Sequence, residues 1–410
     1  MTKANIMCLN IEKGEAFTQE VTLSHTYKDD KAILKAVEKV FNSDTVKAVH
    51  VVSAEVQETL SDRPDYANLD SPGKFQAIQG IIITRLKQHP NAICSYSGGS
   101  DSDIMIDLIE RTRNYFNAAC GHEALKPVKY VFFNTGLEMQ AIKDHVKVTA
   151  EKYGVEIEEI RPKIGIVQAV KMSGLPFLSK DTSEKLSRWQ KKQLPLSIVR
   201  EYDNAVDKKQ KYQELKERYP GCIQVINWLC GCDKSGEEGT SGLFTARKYK
   251  YFLDFLEENP PKFNVSSKCC DYCKKQPAHE VQKGYSMIIT GERKAEGGVR
   301  VSGQTGGCFK ELQNGQYRFR PLYYVSDKDK VWYKEHYGIK YSDAYEVYGL
   351  TRTGCCGCPI SYKAVDDLEK IRPYEPNVVK AAWSIFGSSY QYRHKYNEYK
   401  AKRREEEKVK

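Results

Sequence analysis

The stretch of sequence that decides the fold is Ala92-Ile93-Cys94-Ser95-Tyr96-Ser97-Gly98-Gly99-Ser100-Asp101-Ser102. Residues 92–96 predict a short buried strand, and apolar residues at helical spacing predict a helix over 101–115. Between them, two glycines permit positive φ and leave backbone N–H groups unshielded, while the helix aims the positive end of its dipole at the same point. This order predicts a phosphate-binding loop. A tight turn capped by Asp101 or Ser102 is the alternative.

The same alternation continues outward from this loop. The predicted elements are helices over 74–89 and 142–153 and strands over 128–133, 155–160, 223–228 and 286–290. Strand, helix, strand, helix, strand is the order of an α/β protein, and it implies a Rossmann-like parallel sheet with right-handed crossovers and helices on both faces.

Length and composition narrow the class of protein. The 410 residues suffice for two or three structural units, and 40% hydrophobic with 29% charged residues is typical of a globular chain. The longest aliphatic run, 81–83, is too short to cross a bilayer, so no membrane association is expected. The start of the chain has no apolar stretch of signal-peptide length, which predicts a cytoplasmic protein with mostly reduced thiols.

Composition also changes along the chain. We expect an N-terminal accessory region over 1–75, a nucleotide-binding core over 76–365 and a basic, tyrosine-rich helical tail over 366–410. Within the core, residues 185–218 contain ten basic and five acidic residues. Few large apolar residues accompany them, which predicts an exposed helical insertion.

Four ordered motifs resemble the phosphoadenosine phosphosulfate reductase family of the PP-loop, or adenine nucleotide alpha-hydrolase-like, superfamily. The 97–102 loop is the first, and residues 132–138 (FFNTGLE) are similar to the "DTG" that ends a strand in this family. Residues 291–300 (GERKAEGGVR) resemble its arginine loop. The remaining similarity runs from Arg320-Pro321-Leu322 through Val331-Trp332 to the GCCGCP of 354–359.

The resemblance implies an adenine nucleotide such as ATP in the loop, with Mg²⁺ on its phosphates. The residues it implies for binding are Ser97, Gly98, Gly99, Ser100, Asp101 and Ser102, with Asn134, Thr135 and Gly136 toward the ribose or base. Ser97, Asp101, Arg293 and Arg300 would be catalytic. Ser100 stands where many members have lysine, which removes a point charge and leaves open whether a full triphosphate is bound. The guanidinium groups of the two arginines could restore the charge, although surface salt bridges are the alternative.

The cysteines are unevenly placed, because nine of the 13 lie between residues 230 and 358. An adjacent pair and a later CxxC resemble the [4Fe–4S] ligand set of the family's iron–sulfur branch, which implies Cys269, Cys270, Cys355 and Cys358 as ligands. Lys268, Lys274 and Lys275 would offset the cluster's charge. The spacing alone also allows a four-thiolate zinc site that uses Cys273, or buried thiols without a metal.

Three reactions fit these motifs. The sulfonucleotide reductases of the family use a cysteine in a terminal Glu-Cys-Gly motif, and this sequence, whose last cysteine is Cys358, has none. The resemblance therefore favours an ATP pyrophosphatase that adenylates a substrate for sulfur transfer, with a sulfur or electron donor protein as a further partner. A non-catalytic nucleotide-binding module is the third hypothesis.

Basic and aromatic residues favour a nucleic-acid substrate, either tRNA or DNA. Residues 390–410 contain eight basic and four acidic residues, and 14 of the 27 tyrosines lie between 317 and 399. Basic side chains attract phosphates, and tyrosine rings stack on exposed bases. Packing of the tyrosines in the core is the alternative.

Overall fold

Two compact units make up the chain. The computed structural model describes residues 2–10, 15–23, 30, 33–34, 37, 46–55, 65–121, 123–237, 245–297 and 307–409. Unit 1 comprises Met1–Phe133, Ala141–Ile160 and Glu280–Val347, and unit 2 comprises Asn134–Gln140, Arg161–His279 and Tyr348–Lys410. The boundaries expected at residues 75 and 365 stay a prediction.

All nine described strands belong to unit 1. They are β1 Thr2–Asn10, β2 Glu15–Leu23, β3 Val46–Glu55, β4 Ala92–Ser95, β5 Lys129–Phe133, β6 Ile157–Ile160, β7 Met287–Thr290, β8 Phe309–Glu311 and β9 Tyr317–Phe319. Six of them form one sheet in the order β6-β5-β4-β7-β9-β8, in which only the β8–β9 pair is antiparallel. This confirms the predicted α/β fold.

The described α-helices are numbered in chain order. They are α1 Ser71–Gln88, α2 Ser100–Cys120, α3 Gln140–Tyr153, α4 Ile166–Ser173, α5 Lys180–Lys192, α6 Ser197–Asp203, α7 Lys208–Arg218, α8 Ile223–Cys230, α9 Phe252–Glu258, α10 Gln276–Gln282, α11 Asp327–Tyr337, α12 Asp343–Glu346, α13 Ala364–Ile371 and α14 Pro376–Val409. Within the part of the chain that is described, none of these helices has the length and apolar character needed to span a bilayer.

The central strands of the six-stranded sheet are covered on both faces. Successive residues of β4 and β7 are buried, and so are the middle three of β5. Side chains alternate between faces along a strand, so consecutive burial requires cover on both sides, as in parallel sheets of α/β proteins. The short apolar runs of the sequence have this pattern because no position on them faces water.

The N-terminal residues add a second, separate sheet to unit 1. Its order is β2-β1-β3, and both strand pairs are antiparallel. Ile6 and Val51 are buried in it. Strand β3 contacts helix α1, and β2 contacts α2.

A buried ion pair joins α1 to α11 within unit 1. Lys74 Nζ lies 2.5 Å from Asp329 Oδ2, and both side chains are less than a tenth exposed. Ser71 Oγ donates to the other carboxylate oxygen over 2.8 Å. Burial would raise the pKa of Asp329, but the hydrogen bonds from Lys74 and Ser326 outweigh it and lower the pKa from 3.8 to about 2.

Acid should therefore destabilise the protein through Asp329. Its folded-state pKa is depressed, so its contribution is fully present above about pH 4 and is lost as the pH falls toward 2; it amounts to about 2 kcal/mol. We expect urea unfolding to show a smaller loss of stability between about pH 5 and pH 2 for Asp329→Asn than for the wild type. Equal losses in the two proteins would contradict this assignment.

Unit 2 is helical and corrects two predictions. Residues 223–228, expected to be a strand, lie in helix α8, which ends at Gly231 with a φ of +69°. Val225, Ile226, Trp228 and Leu229 are buried, whereas Gln224 is exposed and Asn227 is half-buried. Because the helix has only eight residues, the spacing of its apolar positions does not distinguish it from a buried strand.

The charged insertion is helical as predicted, but it is not merely exposed. Helices α5, α6 and α7 cover 185–218 and contribute to the hydrophobic core of unit 2. The buried residues of 185–218 include Leu186, Leu194, Ile198, Val199, Tyr202, Tyr212 and Leu215. The basic residues lie between these apolar positions, so a high charge count concealed a buried stripe.

Candidate functional site

The 97–102 loop lies at the point where the strand order of the sheet reverses. The chain leaves β4 through this loop and α2 and continues to β5 on one side, whereas β7 pairs with β4 on the other side. Open α/β sheets bind ligands in the crevice outside the carboxyl ends of such strands. The sequence-based placement of the loop between a strand and a helix is therefore correct.

Hydroxyl groups hold the loop in shape. The Gly99 N–H donates to Ser102 Oγ over 3.0 Å, and the hydroxyls of Ser97 and Ser102 are 3.1 Å apart. At the first turn of α2, the Ser100 N–H donates to Tyr345 Oη over 3.3 Å. A hydroxyl oxygen thus occupies a position at which an anion could accept a hydrogen bond from the helix.

Only one of the two loop glycines has the positive φ expected of both. Gly98 has a φ of +65°, whereas Gly99 is the N-cap residue of α2, with an ordinary φ of −93°. A Cβ on Gly98 would lie 2.9 Å from Ile142 Cγ2. The prediction of positive φ was wrong for Gly99, because an N-cap residue takes extended dihedral angles.

Two cations from outside the loop meet at Asp101. Arg293 Nε donates to Asp101 Oδ1 over 2.9 Å, and Lys330 Nζ lies 2.7 Å from the same oxygen. Arg293 follows β7 and its side chain is 6% exposed. It is therefore not a surface salt bridge, which the sequence left as an alternative. Arg300, its predicted companion, lies outside the described residues.

A second acidic residue lies in the first turn of α2. Asp103 is 3% exposed, and its Oδ1 accepts from Tyr96 Oη over 2.5 Å and lies 2.9 Å from His145 Nε2. Its Oδ2 is buried without a hydrogen-bond partner. Mg²⁺ is commonly held by one or two carboxylates together with substrate phosphates, so Asp101 and Asp103 fit that ion in donor type.

The predicted ribose or base contacts lie in unit 2, directly after β5. Asn134 Oδ1 accepts from the Gly136 N–H over 2.9 Å, which shapes the turn. Thr135 is buried, and its Oγ1 donates to Glu138 Oε1 over 2.8 Å and lies 3.5 Å from Cys355 Sγ. Thr135 thus contacts the CxxC turn, and a nucleotide contact by these residues stays a prediction.

Both cysteine segments belong to unit 2. Cys269 and Cys270 precede a π-helical turn over Asp271–Lys275, and the later CxxC forms a turn in which the Cys358 N–H donates to the Cys355 carbonyl over 3.1 Å. The Cys273 thiol lies 3.5 Å from the Ile164 carbonyl, to which it donates. It therefore already has a partner within the protein.

The four predicted ligand thiols affect one another electrostatically. A hydrogen bond with Cys270, followed by burial, raises the pKa of Cys269, and Cys358 and Cys355 add to the rise. The same hydrogen bond lowers the pKa of Cys270, which Lys274 lowers further. Among the described residues, no three His, Cys, Asp or Glu side chains are placed to hold a metal ion. The four thiols are ligands of the type that a sulfur-ligated centre needs, and they are near enough to influence one another's pKa. Binding of a metal centre would have to bring them closer together.

Of the lysines expected beside the thiols, Lys274 has the clearest role. Burial would lower its pKa, but Cys355 and Glu138 outweigh it, and the pKa of Lys274 is raised. Its Nζ lies 3.8 Å from Glu138 Oε1. Lys275 instead pairs with Asp271 over 2.8 Å near the surface. Lys274 thus keeps a positive charge beside the CxxC turn.

Glycine 357 packs the CxxC turn against α14. Its φ is +66°, and a Cβ there would lie 2.9 Å from Ala382 Cβ and 2.5 Å from Tyr390 Oη. We expect Gly357→Ala to lower the free energy of unfolding by about 3 kcal/mol, from left-handed strain and overpacking together. Thermal unfolding checks this.

Two glycines of the same unit serve as controls for Gly357→Ala. Gly349→Ala has a similar φ of +69° but no atom within 4 Å of the new Cβ, so it should cost only the backbone strain, about 1 kcal/mol. Gly354→Ala has neither problem and should change stability by less than about 0.5 kcal/mol. Equal losses at all three positions would show that packing against α14 does not matter.

The tail tyrosines are largely inside the protein. Tyr390, Tyr392 and Tyr396 are at most 8% exposed, and the last two rings pack against Phe255. For these residues the packing alternative applies, not base stacking. A nucleic-acid contact of the tail would have to use other side chains.

Sequence reasoning missed Lys330, Tyr345 and Asp103. Lys330 directly precedes Val331-Trp332, which is part of one of the four motifs described above. The sequence therefore indicated that this region matters, but it did not predict the contact of Lys330 with the loop. Asp103 follows the loop directly and reads as an ordinary first-turn acid of a helix. Tyr345 has no local signal, because only the tertiary fold brings it to the loop.

One protein-family model matches part of the chain. Residues 91–231 match the phosphoadenosine phosphosulfate reductase domain. No curated protein sequence matches the chain.

Solved structures resemble the chain only distantly. A phosphoadenylyl-sulfate reductase from Candida auris has 13% identity over 68% of this chain and 87% of its own, with a TM-score of 0.35. An FMN adenylyltransferase from Candida glabrata has 10% identity over 71% and 67%, with a TM-score of 0.31. The U34-tRNA thiolase NcsA from Methanococcus maripaludis, solved with its [4Fe–4S] cluster, has 12% identity over 78% and 79%, with a TM-score of 0.29.

Proposed function

Because the chain carries a domain of the phosphoadenosine phosphosulfate reductase family over residues 91–231, we propose that it is an enzyme that binds an adenine nucleotide at the 97–102 loop. The observation that carries the proposal is the meeting of Arg293 and Lys330 at Asp101, at the start of α2. Two cations, the helix dipole and the strand-order reversal together favour a phosphorylated ligand at this place.

The reaction we propose is adenylation of a substrate for sulfur transfer. A substrate oxygen attacks the α-phosphorus of ATP, the new P–O bond forms, the bond to the β-phosphate breaks, and pyrophosphate leaves. The protein's part is to position the phosphates and to stabilise the charge that develops on them. Asp101 and Asp103 would hold Mg²⁺ against the phosphates, and Ser97, Asp101 and the two arginines of the 291–300 segment remain the proposed catalytic residues.

In unit 2 we propose a [4Fe–4S] cluster on Cys269, Cys270, Cys355 and Cys358. Such a cluster would supply sulfur or electron chemistry to the reaction. The thiols of buried Cys269 and of half-buried Cys270, Cys355 and Cys358, together with the charge of Lys274, support an anionic sulfur-ligated group there. A four-thiolate zinc site that uses Cys273 is the alternative, and metal analysis distinguishes the two.

The experiment that tests the proposed function measures pyrophosphate. Purified protein is mixed with ATP, Mg²⁺ and either tRNA or DNA, and release of pyrophosphate is followed. Release that depends on one nucleic acid supports adenylation of that substrate. ATP binding without release would instead favour a non-catalytic nucleotide-binding module, and sulfite formed from phosphoadenosine phosphosulfate with thioredoxin would identify a reductase.

A further inference from the structure

Lys330 reaches the loop from a different part of unit 1. It lies on α11, and its Nζ is 2.5 Å from Ser100 Oγ and 2.7 Å from Asp101 Oδ1. The residues of the loop itself, 97–102, include no cation. Lys330 therefore brings a full positive charge to the position that Ser100 occupies.

Arg293 is the other cation at the loop, but three of its five N–H groups already donate within the protein. Its Nε donates to Asp101, its Nη1 to the Val325 carbonyl over 3.2 Å and its Nη2 to Asp327 over 2.9 Å. With a planar guanidinium fixed on three sides and a side chain that is 6% exposed, Arg293 cannot turn without breaking this set.

Lys330 is less constrained. An ammonium group has three donors, and the two side-chain acceptors above take two of them. One acceptor is a neutral hydroxyl, and the side chain is 18% exposed on a flexible stem. Lys330 can thus donate to an incoming oxygen while it keeps its contact with Asp101.

We propose that Lys330 is the phosphate-contacting cation of the loop and acts from α11 in place of a lysine within the loop, whereas Arg293 orients Asp101. This inference rests on the proposed nucleotide site. It names Lys330 as the residue that makes this site specific for the phosphates of its ligand. A charge on α11 can also be moved into the loop by substitution, which gives the inference a direct test.

The test measures the binding of two probes, ATP with Mg²⁺ and adenosine, by calorimetry. Lys330→Gln, which keeps most of the stem, should weaken ATP binding about 10- to 100-fold, the effect of one charged hydrogen bond. Its affinity for adenosine, which has no phosphate, should stay within about twofold, and this also shows that the variant is folded. The double variant Ser100→Lys with Lys330→Gln should recover ATP affinity to within about threefold of the wild type.

Lys328 provides the matched control. It lies two residues before Lys330 on the same helix and is exposed, so Lys328→Gln should leave ATP affinity unchanged. The assignment is overturned if Lys330→Gln binds ATP like the wild type, or if it loses adenosine and ATP by the same factor. A wild-type protein that binds neither probe overturns the proposed function itself, and the role of Lys330 with it.

Discussion

Serine in place of Cys269, Cys270, Cys355 or Cys358 should in each case release the proposed metal centre of unit 2. The proposed cluster takes all four thiolates as its ligands, from two segments of this unit, so each variant leaves one iron without its thiolate. Metal-site energy is largely folding energy, so each variant should also become more sensitive to protease in unit 2. Iron, zinc and acid-labile sulfide content of anaerobically purified protein, with its visible absorption, checks this.

Two other cysteines of unit 2 give the matched controls for this prediction. Cys273→Ser and Cys356→Ser should keep the cluster, because neither residue belongs to the proposed ligand set and the Cys273 thiol already donates to the Ile164 carbonyl. Cys94→Ser, in β4 of unit 1, should also leave metal content unchanged. If Cys273→Ser loses one zinc per chain while Cys269→Ser retains it, the ligand set is wrong and the site is a zinc site.

Valine in place of Gly98 should abolish ATP binding, with a loss of more than about 100-fold. Two costs combine at this position: a β-branched residue at a φ of +65°, and a Cβ that would lie 2.9 Å from Ile142 Cγ2. The loop must shift to relieve this strain and this close contact. The N–H groups at the start of α2 then no longer point at the phosphates. Calorimetric titration with ATP and Mg²⁺ measures the effect.

Gly154→Val is the control for backbone strain. Gly154 has a φ of +61° and no atom within 4 Å of its new Cβ, and it follows the C-terminal end of α3, outside the loop. It should lose stability of about 1–3 kcal/mol and keep ATP affinity. If Gly98→Val binds ATP as well as Gly154→Val does while both unfold cooperatively, the loop is not the nucleotide site.

Local sequence signals predicted most of the sheet in unit 1. Strands β4, β5 and β7 are short apolar runs closed by glycine or polar residues, and α2 has the apolar spacing of a helix. Here local propensity and final burial agree. The prediction for helix α8 was wrong because eight mostly apolar residues are too few for their spacing to separate a helix from a strand, and packing in unit 2 decides their conformation.

The candidate site was predictable only in part. The loop and Arg293 belong to contiguous motifs, so their residues could be named from the sequence. Lys330 contacts Asp101, which is 229 positions away in the chain, and Ser100, which is 230 positions away. Such a contact is set by the crossing of helices, which no local pattern encodes.

The pairing of Asp101 with two cations has a consequence for the ligands that the loop can take. Asp101 and Asp327 carry two negative charges, Arg293 and Lys330 carry two positive ones, and the four side chains form one connected ion network. The loop is thus electrically balanced before any ligand arrives, with Asp101 as its built-in counter-ion. A chloride or another singly charged ion gains little by displacing a carboxylate already in place, whereas a polyphosphate can offer several oxygens at once. Under the proposed function, such a network would favour multiply charged ligands over the simple salts of the solution.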